Sequence, residues 1–205
     1  LSLHDALPIF FQMLSPRGGG RREAPKFEQV APGVAKHEQE IVLAPGVEPE
    51  SDRYLPLRVA AAAAEFELPI SPVTLQNLRR CPIRDSVWDD ESRQLFVRLL
   101  ASGPALMRVW EELDFVDIPG RWMPEWLGIR NRPSASAAHR YTIDRHSVEV
   151  TSRLARVSAA RGERYDDRHY TALLLAGLLH DVGKRPFVTD HAAEGARHAA
   201  VIMKR

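Results

Sequence analysis

The sequence predicts a mainly α-helical protein, from two patterns that are present and one that is missing. Apolar residues recur three and four positions apart over much of the chain, the spacing that places side chains on one face of a helix. Helix-starting and helix-stopping residues, such as Ser71 with Pro72 and later Gly183 with Pro186, bracket several of these stretches. Strands and helices nowhere alternate regularly, so the sequence does not indicate an α/β fold.

Four helices are predicted between residues 55 and 115, within a helical connecting region assigned to residues 36–130. The first is rich in alanine and stops before Pro69, and the second has Ser71 as its N-cap and Pro72 at position N1. The third begins near Asp89, and the fourth follows Gly103. Their predicted buried faces are Leu95, Phe96 and Leu99 in the third helix, and Leu106, Val109, Trp110 and Leu113 in the fourth.

The segments on either side of these helices are less regular. Residues 38–49 predict a short strand, closed by a turn at Pro45 and Gly46. Residues 118–133 are a connector rich in proline and tryptophan. Its Trp122 and Trp126 are predicted to fill the core, with contact to a partner as the alternative.

The first 35 residues are not expected to fold. Residues 1–9, LSLHDALPI, match the translation of a widely used sequencing-library adapter, so this segment is interpreted as an artefact and both chain ends as accidental. Residues 10–35 are rich in glycine, proline and arginine without apolar periodicity, which predicts a disordered linker remnant. The basic run Arg17 to Arg22 could touch phosphate, but a solvated arm is the preferred interpretation.

The overall composition does not indicate a function, so the function is expected to depend on a local site. The 205 residues include 28 basic and 27 acidic side chains, and a net charge of +1 gives no overall field for nucleic acid or a membrane surface. No apolar run approaches the roughly 20 residues that span a bilayer. Cys81 is the single cysteine, which excludes an internal disulfide and a thiolate metal site and fits a reducing compartment such as the cytoplasm.

Two neighbouring helices are predicted early in the last third of the chain. The first covers residues 141–163, and His146 shares a face with the apolar residues at 143, 150, 154 and 157. The second is capped by Asp166 or Asp167 and is apolar almost all round, as expected for a helix buried in a bundle. Gly183 suits its C′ position.

His180 and Asp181 stand at the end of this apolar helix, where both are costly to bury. An unpaired buried carboxylate costs several kcal/mol, whereas a divalent cation compensates its charge directly. Adjacent residues on a helix diverge by about 100°, so the two side chains can face one ion only where the helix ends. His146 would add a third ligand from the neighbouring helix, and the combination predicts a metal site.

The other histidines are weaker candidates for metal ligands. A lone histidine on an apolar face is most often a satisfied core residue, and this interpretation would hold for His146 taken alone. A last helix is predicted to begin near Thr189 or Asp190, with His191 in its first turn. The remaining histidines are interpreted as surface or packing residues; they are His139, His169 and His198.

The stretch LLHDVGK at residues 178–184, preceded by the helical His146, resembles the signature of the HD-domain metal-dependent phosphohydrolases. Three flanking stretches resemble, more specifically, the bifunctional PII uridylyltransferase and uridylyl-removing enzymes of bacterial nitrogen regulation in their actinobacterial form. They are VAPGVAKHEQEIVLAPG, LPLRVAAAAAEFELPISPVTLQNL and WMPEWLGIRNRPSASAAHRYTIDRHSVEV. The resemblance covers roughly residues 27 to 205 and implies that residues 131–205 begin a truncated HD-domain helical bundle.

The resemblance also implies a reaction and its residues. His146, His180 and Asp181 would hold a divalent ion, Mg²⁺ or Mn²⁺, for hydrolysis of the phosphodiester that joins UMP or AMP to a tyrosine of the PII signalling protein. Asp181 and Lys184 are the expected catalytic residues, with Lys184 stabilising charge on the phosphate. His191 is expected to bind a second ion or contact the substrate, with helix capping as the alternative.

The sequence departs from this family in what it lacks. No Gly-Ser helix start followed by an Asp-x-Asp pair is found, so the transferase activity is not assigned to this chain. The family's closing metal-ligand aspartate would lie beyond Arg205, and the 205-residue chain alone is expected to fold poorly and hydrolyse little. Two alternatives stay open: another HD-type metal-dependent phosphohydrolase, or a non-catalytic HD module that binds a nucleotide.

Overall fold

The computed structural model describes residues 26–83, 88–133, 141–161 and 167–204. Within these residues it has eight α-helices and one small sheet, so the predicted mainly α class is confirmed. The adapter-like segment, the basic run Arg17 to Arg22, His139 and Asp166 lie outside the described residues. None of the described helices is both long enough and apolar enough to cross a membrane.

A three-stranded antiparallel sheet opens the described chain, with strand order β1-β2-β3. The strands are β1 (Glu28–Ala31), β2 (Val34–His37) and β3 (Glu40–Leu43). The prediction of disorder up to residue 35 is therefore wrong from residue 28 onward. Gly33 makes the first hairpin turn at a φ of +75°, and Ile41 is fully buried although its own strand is only four residues long. Neighbouring helices cover Ile41, so the strands can be buried without a regular alternation of apolar and polar residues.

The first two helices follow their predicted boundaries. Helix α1 (Leu55–Glu65) is stopped by a turn ahead of Pro69, and its alanines are almost fully buried. Helix α2 (Pro72–Leu78) has Ser71 as its N-cap, whose hydroxyl accepts a hydrogen bond from the Thr74 amide at 3.2 Å. The free thiol of Cys81 lies just beyond, where burial raises its pKa to about 11 and keeps it unreactive at neutral pH.

Helices α3 (Asp90–Leu100) and α4 (Ala105–Phe115) present the predicted faces to the core. All of the predicted core positions are buried: Leu95, Phe96, Leu99, Leu106, Val109, Trp110 and Leu113. The connector that follows holds a short helix, α5 (Ile118–Trp122), and a 3₁₀ turn over Pro124–Gly128. Trp122 is 3% exposed and Trp126 is 1% exposed, which confirms that both fill the core.

The last third contains helices α6 (Ile143–Arg161), α7 (Asp167–Leu179) and α8 (His191–Ile202). The predicted apolar face of α6 is only partly right, since Ile143 is buried but Val157 is 41% exposed. The residues that α6 buries besides Ile143 are mostly small or polar: Asp144, Ser147, Val148, Thr151, Ser152, Ala155 and Ser158. Helix α7 likewise departs from burial all round, because Ala172 and Ala176 are exposed while Leu174 and Leu178 are fully buried.

Candidate metal centre

Three of the predicted residues meet where α6 passes the end of α7. His146 comes from the first turn of α6, and His180 and Asp181 follow directly after Leu179, the last residue of α7. One donor atom from each of the three lies within 4.8 Å of the others, and this is the one such group found among the described residues. The two imidazole rings meet edge to face, with centroids 5.4 Å apart.

The small residues of α6 allow the two helices to come this close. The hydroxyls of Ser147 and Thr151 are fully buried, but each bonds to a carbonyl of its own helix, at 3.1 Å from Ile143 and 2.9 Å from Ser147 respectively. Gly177 faces them from α7, where an added Cβ would lie 2.7 Å from Leu154 Cδ1. A face of serine, threonine and glycine therefore sets the distance between His146 and the residues that end α7.

The turn after α7 directs both of its ligand candidates to one side. The Val182 amide donates to the Leu179 carbonyl at 3.1 Å, and the Lys184 amide donates to the Asp181 carbonyl at 3.0 Å. These tight turns release His180 and Asp181 from helical geometry, and His180 Nε2 comes within 3.4 Å of Asp181 Oδ2. The requirement that the pair stand at a helix end is met.

His180 is oriented by the backbone of its own helix. Its Nδ1 lies 2.8 Å from the Gly177 carbonyl oxygen, which can only accept, so Nδ1 carries the hydrogen. The lone pair is then on Nε2, the nitrogen nearest Asp181. Metal-binding histidines are commonly fixed in this way by a backbone carbonyl. This contact could not be predicted from the sequence, because any residue at position 177 would offer the same backbone carbonyl.

Asp181 is 8% exposed and is compensated by Lys184. The Lys184 ammonium donates to Asp181 Oδ2 at 2.8 Å, while its own side chain is 41% exposed. Among the described residues, Lys184 is therefore the cationic side chain that pairs with this nearly buried carboxylate, which also lies close to the His180 imidazole. The ammonium is partly exposed and therefore accessible to an anionic ligand.

Gly183 has a different role from the one predicted. Helix α7 ends at Leu179, four residues earlier, and Gly183 is not among the residues with positive φ, so the C′ assignment is wrong. An added Cβ at Gly183 would lie 2.1 Å from the carbonyl oxygen of His191 and 2.3 Å from the amide nitrogen of Gly195. The residue must be glycine because the backbone of α8 rests directly on it.

The remaining histidines lie outside the three-residue group. His191 begins α8, with its Nδ1 3.4 Å from the Gly183 carbonyl oxygen. The N-cap of that helix is Asp190, which accepts from the Ala193 amide at 2.9 Å, as predicted for the helix start. His198 is buried and bonded to Glu194 at 2.8 Å, whereas His169 is exposed, so both fit the packing and surface roles predicted for them.

The three donors fit a divalent ion by their chemistry. Two imidazole nitrogens and one carboxylate oxygen form a mixed set, and the nearly buried carboxylate gives the negative charge that a cation compensates. Oxygen ligands suit Mg²⁺ and Mn²⁺, while imidazole favours the later transition metals. The described residues therefore include a group of three side chains that could hold a metal ion.

Comparison with known proteins gives relatives named bifunctional uridylyltransferase/uridylyl-removing enzyme. The chain is 38% identical, over 97% of its length, to the bifunctional uridylyltransferase/uridylyl-removing enzyme of Streptomyces coelicolor, of which it covers 23%. It is 40% identical to the enzyme of that name from Mycobacterium tuberculosis, over 88% of the chain and 22% of the relative. For the Corynebacterium glutamicum enzyme the identity is 34%, over 76% of the chain and 21% of the relative.

No family model and no solved structure matches the chain. The resemblance found in the sequence is nonetheless confirmed, since relatives at 34–40% identity cover most of the chain and include the actinobacterial enzymes. The chain is therefore homologous, over most of its own length, to one segment of the bifunctional uridylyltransferase/uridylyl-removing enzymes, and spans less than a quarter of their length.

Proposed function

We propose that His146, His180 and Asp181 form the metal centre of a phosphodiesterase that removes UMP or AMP from a tyrosine of the PII signalling protein. The observation that carries the proposal is the convergence of one donor atom from each residue within 4.8 Å. The name of the relatives, uridylyl-removing enzyme, supports the reaction type. The activity, substrate and partner of the longer relatives are part of the proposal, because the chain spans only a segment of them.

The reaction is a hydrolysis at phosphorus. A water oxygen bonds to phosphorus, the bond from phosphorus to the tyrosine oxygen breaks, and the products are a nucleoside monophosphate and a free tyrosine. A bound divalent ion supplies a Lewis acid for the phosphoryl oxygen and lowers the pKa of water. We favour Mn²⁺ over Mg²⁺ because two of the three donors are imidazoles.

Each residue of the site has a separate role in the proposed reaction. The Gly177 carbonyl keeps His180 in the tautomer that points Nε2 into the centre. Asp181 provides the anionic ligand, and its salt bridge holds the Lys184 ammonium 2.8 Å away. That ammonium can move to a phosphoryl oxygen and stabilise the negative charge that grows there. His191, outside the three-residue group, stays a candidate for a substrate contact or a second ion.

Metal binding is the first prediction to test. Titration of Mn²⁺ into the 205-residue chain, followed by the electron paramagnetic resonance signal of the free ion, should show one site. We expect His146→Ala, His180→Ala and Asp181→Asn each to weaken binding more than about tenfold, since each removes a ligand. His169→Ala is the matched control, because it removes an exposed histidine from α7 outside the group.

Hydrolysis is tested with a small substrate that carries the same bond. Uridine 5′-(4-nitrophenyl) phosphate and its adenosine counterpart both join a nucleotide to a phenol and release a coloured product. We expect slow hydrolysis that requires Mn²⁺ and is lost in His180→Ala, with Lys184→Ala lowering the rate more than the affinity for metal. Mn²⁺ binding that is unchanged by loss of His146 and of His180 would refute the proposed centre.

A further inference from the structure

We propose that the side chain of Phe187 binds the protein that carries the phosphodiester, an inference that rests on the proposed function. Phe187 is 105% exposed, the highest value among the exposed large hydrophobic residues of the described chain. Phe115, the next phenylalanine in that order, is 77% exposed. An aromatic ring that is fully in water gains nothing from the hydrophobic effect in this state.

The backbone of Phe187 is strained as well. Its φ is +61°, a left-handed conformation that a bulky L-residue adopts at a cost. Neither burial nor backbone preference therefore explains a phenylalanine at this position. Burial of the exposed ring under a second surface would be favourable, because it removes apolar area from water.

The segment around Phe187 is held in place at both ends. The Arg185 guanidinium donates to the carbonyl of Glu125 in the connector, and it lies so close to Gly128 that an added Cβ there would be 2.4 Å from Arg185 Cζ. On the other side Asp190 caps α8 through the Ala193 amide. The ring is thus presented by a fixed frame, which reduces the entropy lost on binding.

The location of Phe187 between Lys184 and His191 indicates which kind of partner it contacts. Phe187 comes three residues after Lys184, whose ammonium contacts Asp181, and four residues before His191, whose ring reaches the Gly183 carbonyl. A group bound at the centre would therefore lie near the base of this segment. A substrate protein brings polypeptide on both sides of the modified tyrosine that can reach the ring of Phe187, whereas a free nucleotide ends at its own base. Exposed aromatic residues are typical anchors of such contacts.

The experiment compares a protein substrate with a small one. Affinity for uridylylated PII protein is measured by calorimetry with Mn²⁺ present, and affinity for uridine 5′-(4-nitrophenyl) phosphate is measured in the same buffer. We expect Phe187→Ala to weaken the protein complex about 10- to 100-fold and to leave the small ester unchanged. Phe187→Gly, which suits the positive φ, should behave alike, and Phe187→Trp should bind normally. Phe115→Ala, on α4, is the matched control.

Each outcome bears on the proposal. Unchanged affinity for the protein overturns it, and equal loss for protein and small ester assigns Phe187 to the nucleotide instead. Loss of self-association in Phe187→Ala, measured by sedimentation, would assign the ring to a second copy of the chain and also overturn it. If the wild-type chain binds Mn²⁺ but neither substrate, the proposed function fails first, and the role of Phe187 falls with it.

Discussion

Gly183 and Gly195 face each other where α8 rests on the turn that ends in Lys184. A Cβ at Gly183 would lie 2.1 Å from the His191 carbonyl oxygen and 2.7 Å from Gly195 Cα, which are backbone atoms that cannot move aside. We expect Gly183→Ala to lower the free energy of unfolding by about 2–4 kcal/mol. Because the turn also places His180 and Asp181, the affinity for Mn²⁺ should fall too.

The facing glycine provides the control for this prediction. A Cβ at Gly195 would lie 3.5 Å from the Gly183 amide nitrogen, an ordinary contact. Gly195 is inside α8, where alanine favours the helix by up to about 1 kcal/mol. Gly195→Ala should therefore be neutral or stabilising in urea unfolding followed by circular dichroism. Equal destabilisation by both substitutions would show that the close approach at Gly183 is not the cause.

The residues of the proposed metal centre were more predictable than the geometry that supports them. Asp181 is nearly buried, and the cost of burying a carboxylate is visible in the sequence, whereas the structure leaves His180 exposed and His146 partly buried. The role of Gly183 could not be predicted, because a glycine after a helix usually signals a left-handed C′ residue. Contact with a helix that begins eight residues later depends on tertiary packing, which no local pattern records.

At the scale of the element, α3 depends on a carboxylate at its start. Asp89 Oδ1 accepts from the amide of Ser92 at 3.0 Å and from its hydroxyl at 2.9 Å, and Oδ2 is bonded to Tyr54 and Arg53. The pKa of Asp89 is held well below its usual range, first by the Tyr54 hydroxyl and then by the Ser92 amide. The charged form of Asp89 therefore stabilises both the helix start and its contact with the segment before α1.

This gives a prediction about pH. Because the pKa of Asp89 is lower in the folded chain than in the unfolded one, its stabilisation is present above the unfolded value of about 4 and is lost as the pH falls toward the folded value. We expect Asp89→Asn, which keeps an N-cap, to be less stable than wild type at about pH 6. The difference should shrink at about pH 2.5 in urea unfolding.

The control for Asp89 is its neighbour. Asp90→Asn removes an equal charge from the first turn of the same helix, where the exposed carboxylate forms a salt bridge with exposed Arg93 at 3.4 Å. Such exposed pairs contribute little. A gap between wild type and Asp89→Asn that stays constant from about pH 6 to about pH 2.5 would contradict the linkage to this carboxylate.

Sequence periodicity predicted the helices well and two other features poorly. Helices α3 and α4 bury the faces that their spacing indicates, since Leu99, Leu106 and Leu113 are fully buried. Helix α6 packs through Ser147 and Thr151, whose small size matters more than their polarity at a close helix contact. The hairpin of β1 and β2 was missed because its strands have four residues each and take their burial from neighbouring helices.

At the scale of the whole molecule, one core joins the connecting helices to the proposed metal centre. The buried residues form a continuous cluster that runs from the sheet through the tryptophans to Leu178 and Val182. Polar links cross the same boundary: the Ile143 amide donates to the Arg132 carbonyl at 2.8 Å, and the Asn131 amide donates to Asp144 at 2.9 Å. The two regions separated at about residue 130 by sequence should therefore depend on each other for stability.

The buried bond between Ser152 and Gly103 tests this dependence. Ser152 is 7% exposed, and its hydroxyl donates to the Gly103 carbonyl at 2.8 Å, from α6 to the start of the α4 region. Ser152→Ala should lower the free energy of unfolding by about 1 kcal/mol or slightly more, since it leaves a buried acceptor without its partner. Ser51→Ala removes a comparable serine-to-carbonyl bond of 2.8 Å at an exposed position and should change little.

Two signals report on the two regions during urea unfolding. Tryptophan fluorescence reports on the connecting region, because all four tryptophans lie between residues 88 and 126, and release of Mn²⁺ reports on the centre around Asp181. The exposed Ala172 and Ala176 face of α7 favours a low midpoint, in keeping with the expectation that the chain alone folds poorly. Nevertheless, a shared core requires that both signals change together and that Ser152→Ala shift both to lower urea equally. Loss of Mn²⁺ well before the fluorescence changes, with Ser152→Ala moving only the earlier step, would show that the metal centre unfolds independently of the connecting helices.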